Sequence, residues 1–168
     1  FRCVAADVYH RKELVFKKGD IGAAIRMSMS IPIVFKPMKI DSTLIFDGGI
    51  YNNFPWKTID EDFCPDVIIG GKCVSDIVNP DESNLVGQVE MLTMMHTNYD
   101  LPSDKGIMIE RIFKDIGILD FDKAQIIIDR GYADAMAAMP QIKEKITRRV
   151  SPDSLAMRRL NFRSQLPE

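Results

Sequence analysis

The chain has 168 residues, the size of one domain, since domains run to about 100–200 residues. Hydrophobic residues make up 46% and charged residues 27%, which excludes a disordered or fibrous chain. Twenty-two basic against 24 acidic residues leave a net charge of −2, which excludes a nucleic-acid binder working through overall positive charge. No apolar stretch approaches the roughly 20 residues of a membrane-crossing helix. The sequence opens at Phe1 directly into a strand-like run and closes in mid-phrase at Glu168. It therefore reads as an excised piece whose compartment is open. Three cysteines, Cys3, Cys64 and Cys73, form no CxxC pair and are expected as buried free thiols.

In chain order, residues 1–9 alternate as a strand, and ELVFKKG, after His10, Arg11 and Lys12, is a second, so a hairpin or a pair of adjacent strands opens the chain. Asp20 is placed to cap a helix in which Ile21, Ala24, Ile25 and Met29 share helical spacing. That helix must stop near Ser30, because Pro32 disfavours helical backbone before it. IVFKPMKI and TLIFDGG flank Asp41-Ser42 as a hairpin running into a glycine turn. Pro55 suits the first turn of a small helix over 55–61. Asp66 to Gly71, bounded by Pro65, reads as a strand buried on both faces. Leu85, Val89, Leu92 and Met95 mark a further helix, and GIMIERIF a strand. Ala124, Ile127, Gly131, Ala135 and Ala138 predict a last helix from about Asp122, with a small-residue stripe for close packing. The order predicts an α/β fold, a mixed sheet covered by helices.

From Lys143 to Arg163 seven basic residues face two acidic ones, a local net of +5. A solvated helix face is the plainest reading; anionic lipid headgroups or a neighbouring domain are the alternatives. The two histidines, His10 in a turn and His96 at a helix end, have no ligand spacing, so no metal site is expected. Neither sits in an obvious carboxylate-flanked catalytic loop of the kind a Ser-His-Asp triad needs. With no GxGxxG and no P-loop, no cofactor is expected. Met27, Met29, Met91, Met94 and Met95 are expected in the core, and Ser28 and Ser30 as packing residues at a helix end.

The informative segment is Phe46-Asp47-Gly48-Gly49-Ile50-Tyr51-Asn52-Asn53-Phe54-Pro55. A strand that delivers Asp47 into a Gly-Gly turn leaves its carboxylate unobstructed, and the glycines permit close backbone approach. Asp-Gly is also a favoured turn pair. Asn52 and Asn53 are placed to hold the turn through side-chain hydrogen bonds to backbone.

The run Ala24 to Phe35 with Pro32 at its centre, then Pro37, Phe46-Asp47-Gly48-Gly49 and Asn52-Asn53-Phe54-Pro55, resembles the patatin-like phospholipase family over residues 1–75, and more loosely in LDFDKAQIIIDRGY. The resemblance implies a three-layer α/β sandwich of which this is a part, residues 1–140 being the C-terminal portion of the catalytic domain and 141–168 a basic helical tail or linker to a further domain. It implies that Asp47 is the acid of a Ser-Asp dyad that hydrolyses lipid or phospholipid esters without histidine, with Gly48, Gly49, Asn52, Asn53 and Pro32 as supports. The family's Gly-x-Ser-x-Gly elbow and glycine-rich oxyanion loop are not in this sequence. The missing N-terminal part of the same domain is therefore expected as a partner, and the chain alone is expected to be inactive. The alternative is a non-catalytic scaffold for membrane or protein contact. The basic stretch 143–163 is expected near a membrane surface or at the start of a connection to a further domain.

Overall fold

The computed structural model describes residues 1–75, 82–93, 97–114, 116–117 and 120–166. It is an α/β molecule with its strands divided between two sheets. The first is antiparallel, in the order β2-β1-β4-β3, with β1 at Cys3–Asp7, β2 at Lys12–Phe16, β3 at Met38–Ile40 and β4 at Thr43–Asp47. The second is a parallel pair, β5 at Ile68–Ser75 and β6 at Gly106–Phe113, in the register Ile69↔Ile107. A parallel pair needs a crossover, and this one contains α3, Leu85–Thr93.

Local chemistry explains the first sheet. In the β1–β2 hairpin (Val4↔Val15), the turn is closed by Asp7, whose carboxylate accepts the His10 N–H at 2.9 Å and contacts His10 Nδ1 at 2.7 Å. His10 lies in a turn, as expected, and its carboxylate partner Asp7 closes that turn. Helix α1, Ile21–Ser28, is capped by Asp20, which accepts the Ala23 N–H at 2.6 Å. The 41–42 turn has Asp41 at φ +52, a left-handed position that aspartate tolerates. It joins β3 to β4 with Ile40 opposite Thr43. Helix α1 lies on one face of this sheet, where Ala5, Met27 and Ile45 form a buried cluster flanked by Leu14, Phe16, Ala23 and Met38.

The faces differ from expectation in several places. The buried side of α1 is Ala24 and Met27, while Ile21, Ile25 and Met29 are exposed. The small side chains of Ala23 and Ala24 let the helix approach the sheet closely, and the isoleucines take the outside. Strand β5 is covered on one face only: Ile68 and Gly70 are buried, whereas Ile69, Gly71 and Cys73 are exposed. Cys64 is exposed as well, and Cys3 is half-buried. On α3 Leu85 and Leu92 of the expected stripe are exposed while Val89 is half-buried, and Met91 is exposed too. Met94, Met95 and His96 lie outside the described residues.

Helix α2, Trp56–Phe63, is tied to the start of β1 by Arg2, which bonds Asp62 and lies over the Phe63 ring. Helix α4, Ala124–Lys145, is continuous across residues 140–141 and packs on β6 through Arg111 with Asp134, and Arg130 over Phe113. A β-carbon added at Gly131 would meet nothing within 4 Å, so the small-residue stripe is not close-packed there. Helix α5, Pro152–Ser164, has no buried residue.

Candidate active site

Asp47 is the last residue of β4. Its carbonyl begins a single 3-10 turn over Gly48–Ile50, and its side chain caps that turn by accepting the Gly49 N–H at 2.8 Å. Its own N–H donates to the carbonyl of Ser30 at 3.0 Å. The main chain of the residue is thereby fixed between β1, through the pairing Ala5↔Asp47, and the end of α1. Pro32 is half-buried and begins the turn that follows.

The two glycines are required for different reasons. A Cβ at Gly48 would stand 2.5 Å from the Val4 carbonyl oxygen and 2.7 Å from Val4 Cγ2, so any side chain here collides with strand β1. A Cβ at Gly49 would stand 3.1 Å from Asp47 Oδ1 and 3.0 Å from Asn53 Oδ1, crowding the carboxylate itself. Both are buried.

Beyond the turn, Asn52 Nδ2 donates to Glu13 Oε2 at 3.1 Å while its Oδ1 accepts the Phe54 N–H at 3.2 Å. Asn53 uses its side chain differently, donating to the Tyr99 hydroxyl at 3.1 Å, and its N–H donates to Thr97 Oγ1 at 3.0 Å. Phe54 packs against Tyr99 with ring centroids 5.6 Å apart. The segment after α3 therefore grips the Asp-Gly-Gly turn from the far side. Ser30, fully buried, donates from Oγ to the Arg26 carbonyl and accepts from Arg26 Nη1, both at 2.8 Å. It reaches Asp47 only through its main chain. Glu13, Ser30, Thr97 and Tyr99 were not legible as supports from sequence, because no spacing signals a contact made across 17 to 46 residues.

Electrostatics set Asp47 apart. Burial raises its carboxyl above the ordinary value, against the opposing pull of the Gly49 N–H. The other shifted carboxyls among the described residues move down. Burial would raise Asp7, but the hydrogen bonds from His10 outweigh it. Arg2 and Lys17 hold Asp62 down, Lys123 and the Gly117 N–H hold Asp120, and Arg111 holds Asp134. Each of those is a structural tie. Asp47 is half-buried with no ion pair among the described residues. No cluster of His, Cys, Asp and Glu among the described residues has the geometry to hold a metal ion.

Residues 4–60 match the family model of patatin-like phospholipase. That stretch is similar to the patatin-like phospholipase family. An uncharacterized NTE family protein of Mycobacterium bovis is 39% identical over 59 residues, 35% of this chain and 16% of that protein. Another NTE family protein, of Mycobacterium tuberculosis, is 32% identical over 68 residues, 40% of this chain and 12% of that protein. The matched stretch is thus a small part of each relative. The family match takes in β1 from Val4, α1 and the whole Asp47 turn, while Thr97, Tyr99 and the β5–β6 pair lie beyond it.

Proposed function

We propose that this chain contributes the general base of a lipid acyl-ester hydrolase, and that Asp47 is that base. The observation that carries the proposal is the state of Asp47: raised by burial, free of any ion pair among the described residues, and held by one N–H at the end of a strand within the patatin-like segment. A general base works best when its pKa approaches the working pH, and burial moves a carboxylate in that direction. The nucleophile is a serine from outside these 168 residues, which contain no Gly-x-Ser-x-Gly. Asp47 takes the hydroxyl proton as the serine oxygen attacks the ester carbonyl carbon. It returns the proton to the oxygen of the departing alcohol as the carbon–oxygen bond breaks, leaving an acyl-serine that water hydrolyses by the same route in reverse. Glu13 and Asn52 on one side, with Asn53, Thr97 and Tyr99 on the other, keep the turn in place. Residues 141–168 form a basic helical tail or a linker to a further domain.

The test is Asp47→Asn in a longer form of the protein that carries the serine motif. The amide keeps the shape and accepts the Gly49 N–H but takes no proton. A loss in kcat of about 10²–10⁴-fold is expected, with KM little changed. A folded Asp47→Asn enzyme retaining more than about a tenth of wild-type kcat would refute the assignment. The 168-residue chain alone should not turn over nitrophenyl esters.

A further inference from the structure

We propose that the outer face of α1, together with the loop that follows it, seats on an anionic lipid surface beside Asp47. This rests on the lipid-hydrolase reading and names the surface from which the substrate is drawn. The helix has two faces. Ala23, Ala24 and Met27 point to the sheet, while Ile21, Ile25 and Met29, spaced four apart and so aligned along one side of a helix, are 58%, 44% and 43% exposed.

In the loop after the helix Ile33 is exposed as well, at 67%, with φ +70. A left-handed conformation is unfavourable for a β-branched residue and persists only where its surroundings impose it. Here they do. Arg26 Nη2 donates to the Lys36 carbonyl at 2.8 Å, its Nη1 donates to Ser30 Oγ, its guanidinium lies over Phe35, and the Phe35 N–H donates to the Ile31 carbonyl at 3.0 Å. The loop is braced so that an isoleucine stands out in water. Its base is Ser30, whose carbonyl accepts the Asp47 N–H, so the loop is tied to the strand end that carries the proposed base.

Charge selects the occupant. Lys18 precedes the helix and Lys36 lies at the far end of the loop; both are exposed and make no ion pair among the described residues. From 18 to 36 the one acidic residue is Asp20, and its carboxylate is engaged in capping α1. This stretch is cationic in a chain of net charge −2. A second copy meeting the face symmetrically would set these lysines against their own kind, whereas apolar side chains framed by lysines suit an anionic bilayer. Helix α5 fits less well. Leu155, Met157, Leu160 and Phe162 are exposed but fall on no single stripe, and Arg149 is turned back onto the carbonyls of Ile146 and Lys143.

The experiment is co-sedimentation of the 168-residue chain with phosphatidylcholine vesicles with and without phosphatidylserine. Binding is expected to the anionic vesicles and to weaken with salt. Ile33→Gly removes the apolar tip while glycine accepts the left-handed backbone, so the fold is kept and partitioning should fall about tenfold. Lys18→Gln with Lys36→Gln should lower it by about tenfold or more. Changing Arg148, Arg149, Arg158 and Arg159 to Gln should leave most of it. The proposal is overturned by absence of binding, by equal binding to neutral vesicles, by wild-type affinity in both α1-face variants, or by a loss confined to the tail variant. A dimer that Ile25→Ser dissociates would also overturn it. No turnover is measured, so each of these outcomes leaves the role of Asp47 to its own test.

Discussion

Gly48→Ala tests whether the Asp47 turn is held by main-chain contact. Glycine at 48 is not needed for its backbone angle, since Gly48 is not among the residues with positive φ. It is needed for space. The added Cβ would lie 2.5 Å from the Val4 oxygen, 2.8 Å from the Val4 carbonyl carbon and 2.7 Å from Val4 Cγ2, against the roughly 3.5–4.0 Å at which carbon atoms attract. Two of the three atoms are backbone of a strand paired on both sides, to β2 and to β4, so β1 or the turn must move by about an ångström. Overpacking of this kind costs typically 1–3 kcal/mol, and a backbone obstacle places it at the upper end, about 3 kcal/mol. At about 2–4 °C per kcal/mol for a chain this long, the melting temperature should fall by roughly 6–12 °C. Urea denaturation followed by far-UV circular dichroism gives the free energy, and Val4→Ala supplies the control. It removes Cγ2 but leaves the carbonyl, so the double variant should recover little. A Gly48→Ala chain within about 0.5 kcal/mol of wild type, or one fully rescued by Val4→Ala, would show that the turn has more room than the contact implies.

Asp47→Asn should stabilise the chain at neutral pH. Its carboxyl is raised in the folded state, so stability is unimpaired below the ordinary carboxyl value of about 3.9 and falls as pH rises through the folded value; the melting gain of the amide at pH 7 should vanish near pH 3, and a variant less stable than wild type at pH 7 would contradict this. Asp134, held down by Arg111, has the opposite sign. Its stabilisation is present above about 3.9 and is lost as pH falls through the folded value, so Asp134→Asn should melt lower than wild type at pH 7 and converge with it in acid. Gly131→Ala, in open space inside α4, should raise stability by about 1 kcal/mol in the same urea assay, and a loss would mean that the helix packs where no neighbour is seen.

What sequence could read here was local. The opening hairpin, the Asp20 cap, the 41–42 turn and the small helix after Pro55 follow from period and capping chemistry within a few residues, and they stand where expected. Faces depended on partners that no local pattern names. Ile21, Ile25 and Met29 have perfect helical spacing, yet the alanines beside them lie on the sheet. The continuous run of β5 suggested two covered faces, and one is open. At the candidate site, Asp47 and its glycines were visible because their chemistry is contiguous. The residues that brace them were not, because Glu13–Asn52 and Asn53–Tyr99 are joined only by the fold.

The distribution of unfavourable features supports a functional reading of this corner. Four carboxylates, Asp7, Asp62, Asp120 and Asp134, are tied to donors and lowered, and so each favours the folded state above its own titration. Asp47 does the reverse, and of the non-glycine residues at positive φ among the described residues, Arg11, Ile33, Asp41 and Cys64, Ile33 is the β-branched one. Asp47 keeps a half-buried carboxylate with no ion pair among the described residues, and Ile33 holds a β-branched residue in left-handed backbone. Ile33 lies within the Ser30 to Lys36 loop braced by Arg26, and Asp47 is joined to the first residue of that loop through its main chain. Strain and unpaired charge of this kind persist where chemistry or binding requires them. On that ground Asp47→Asn and Ile33→Gly should each gain stability while losing, respectively, turnover in the longer protein and lipid binding in this chain. A gain in stability with both activities intact would separate strain from function and remove the common explanation.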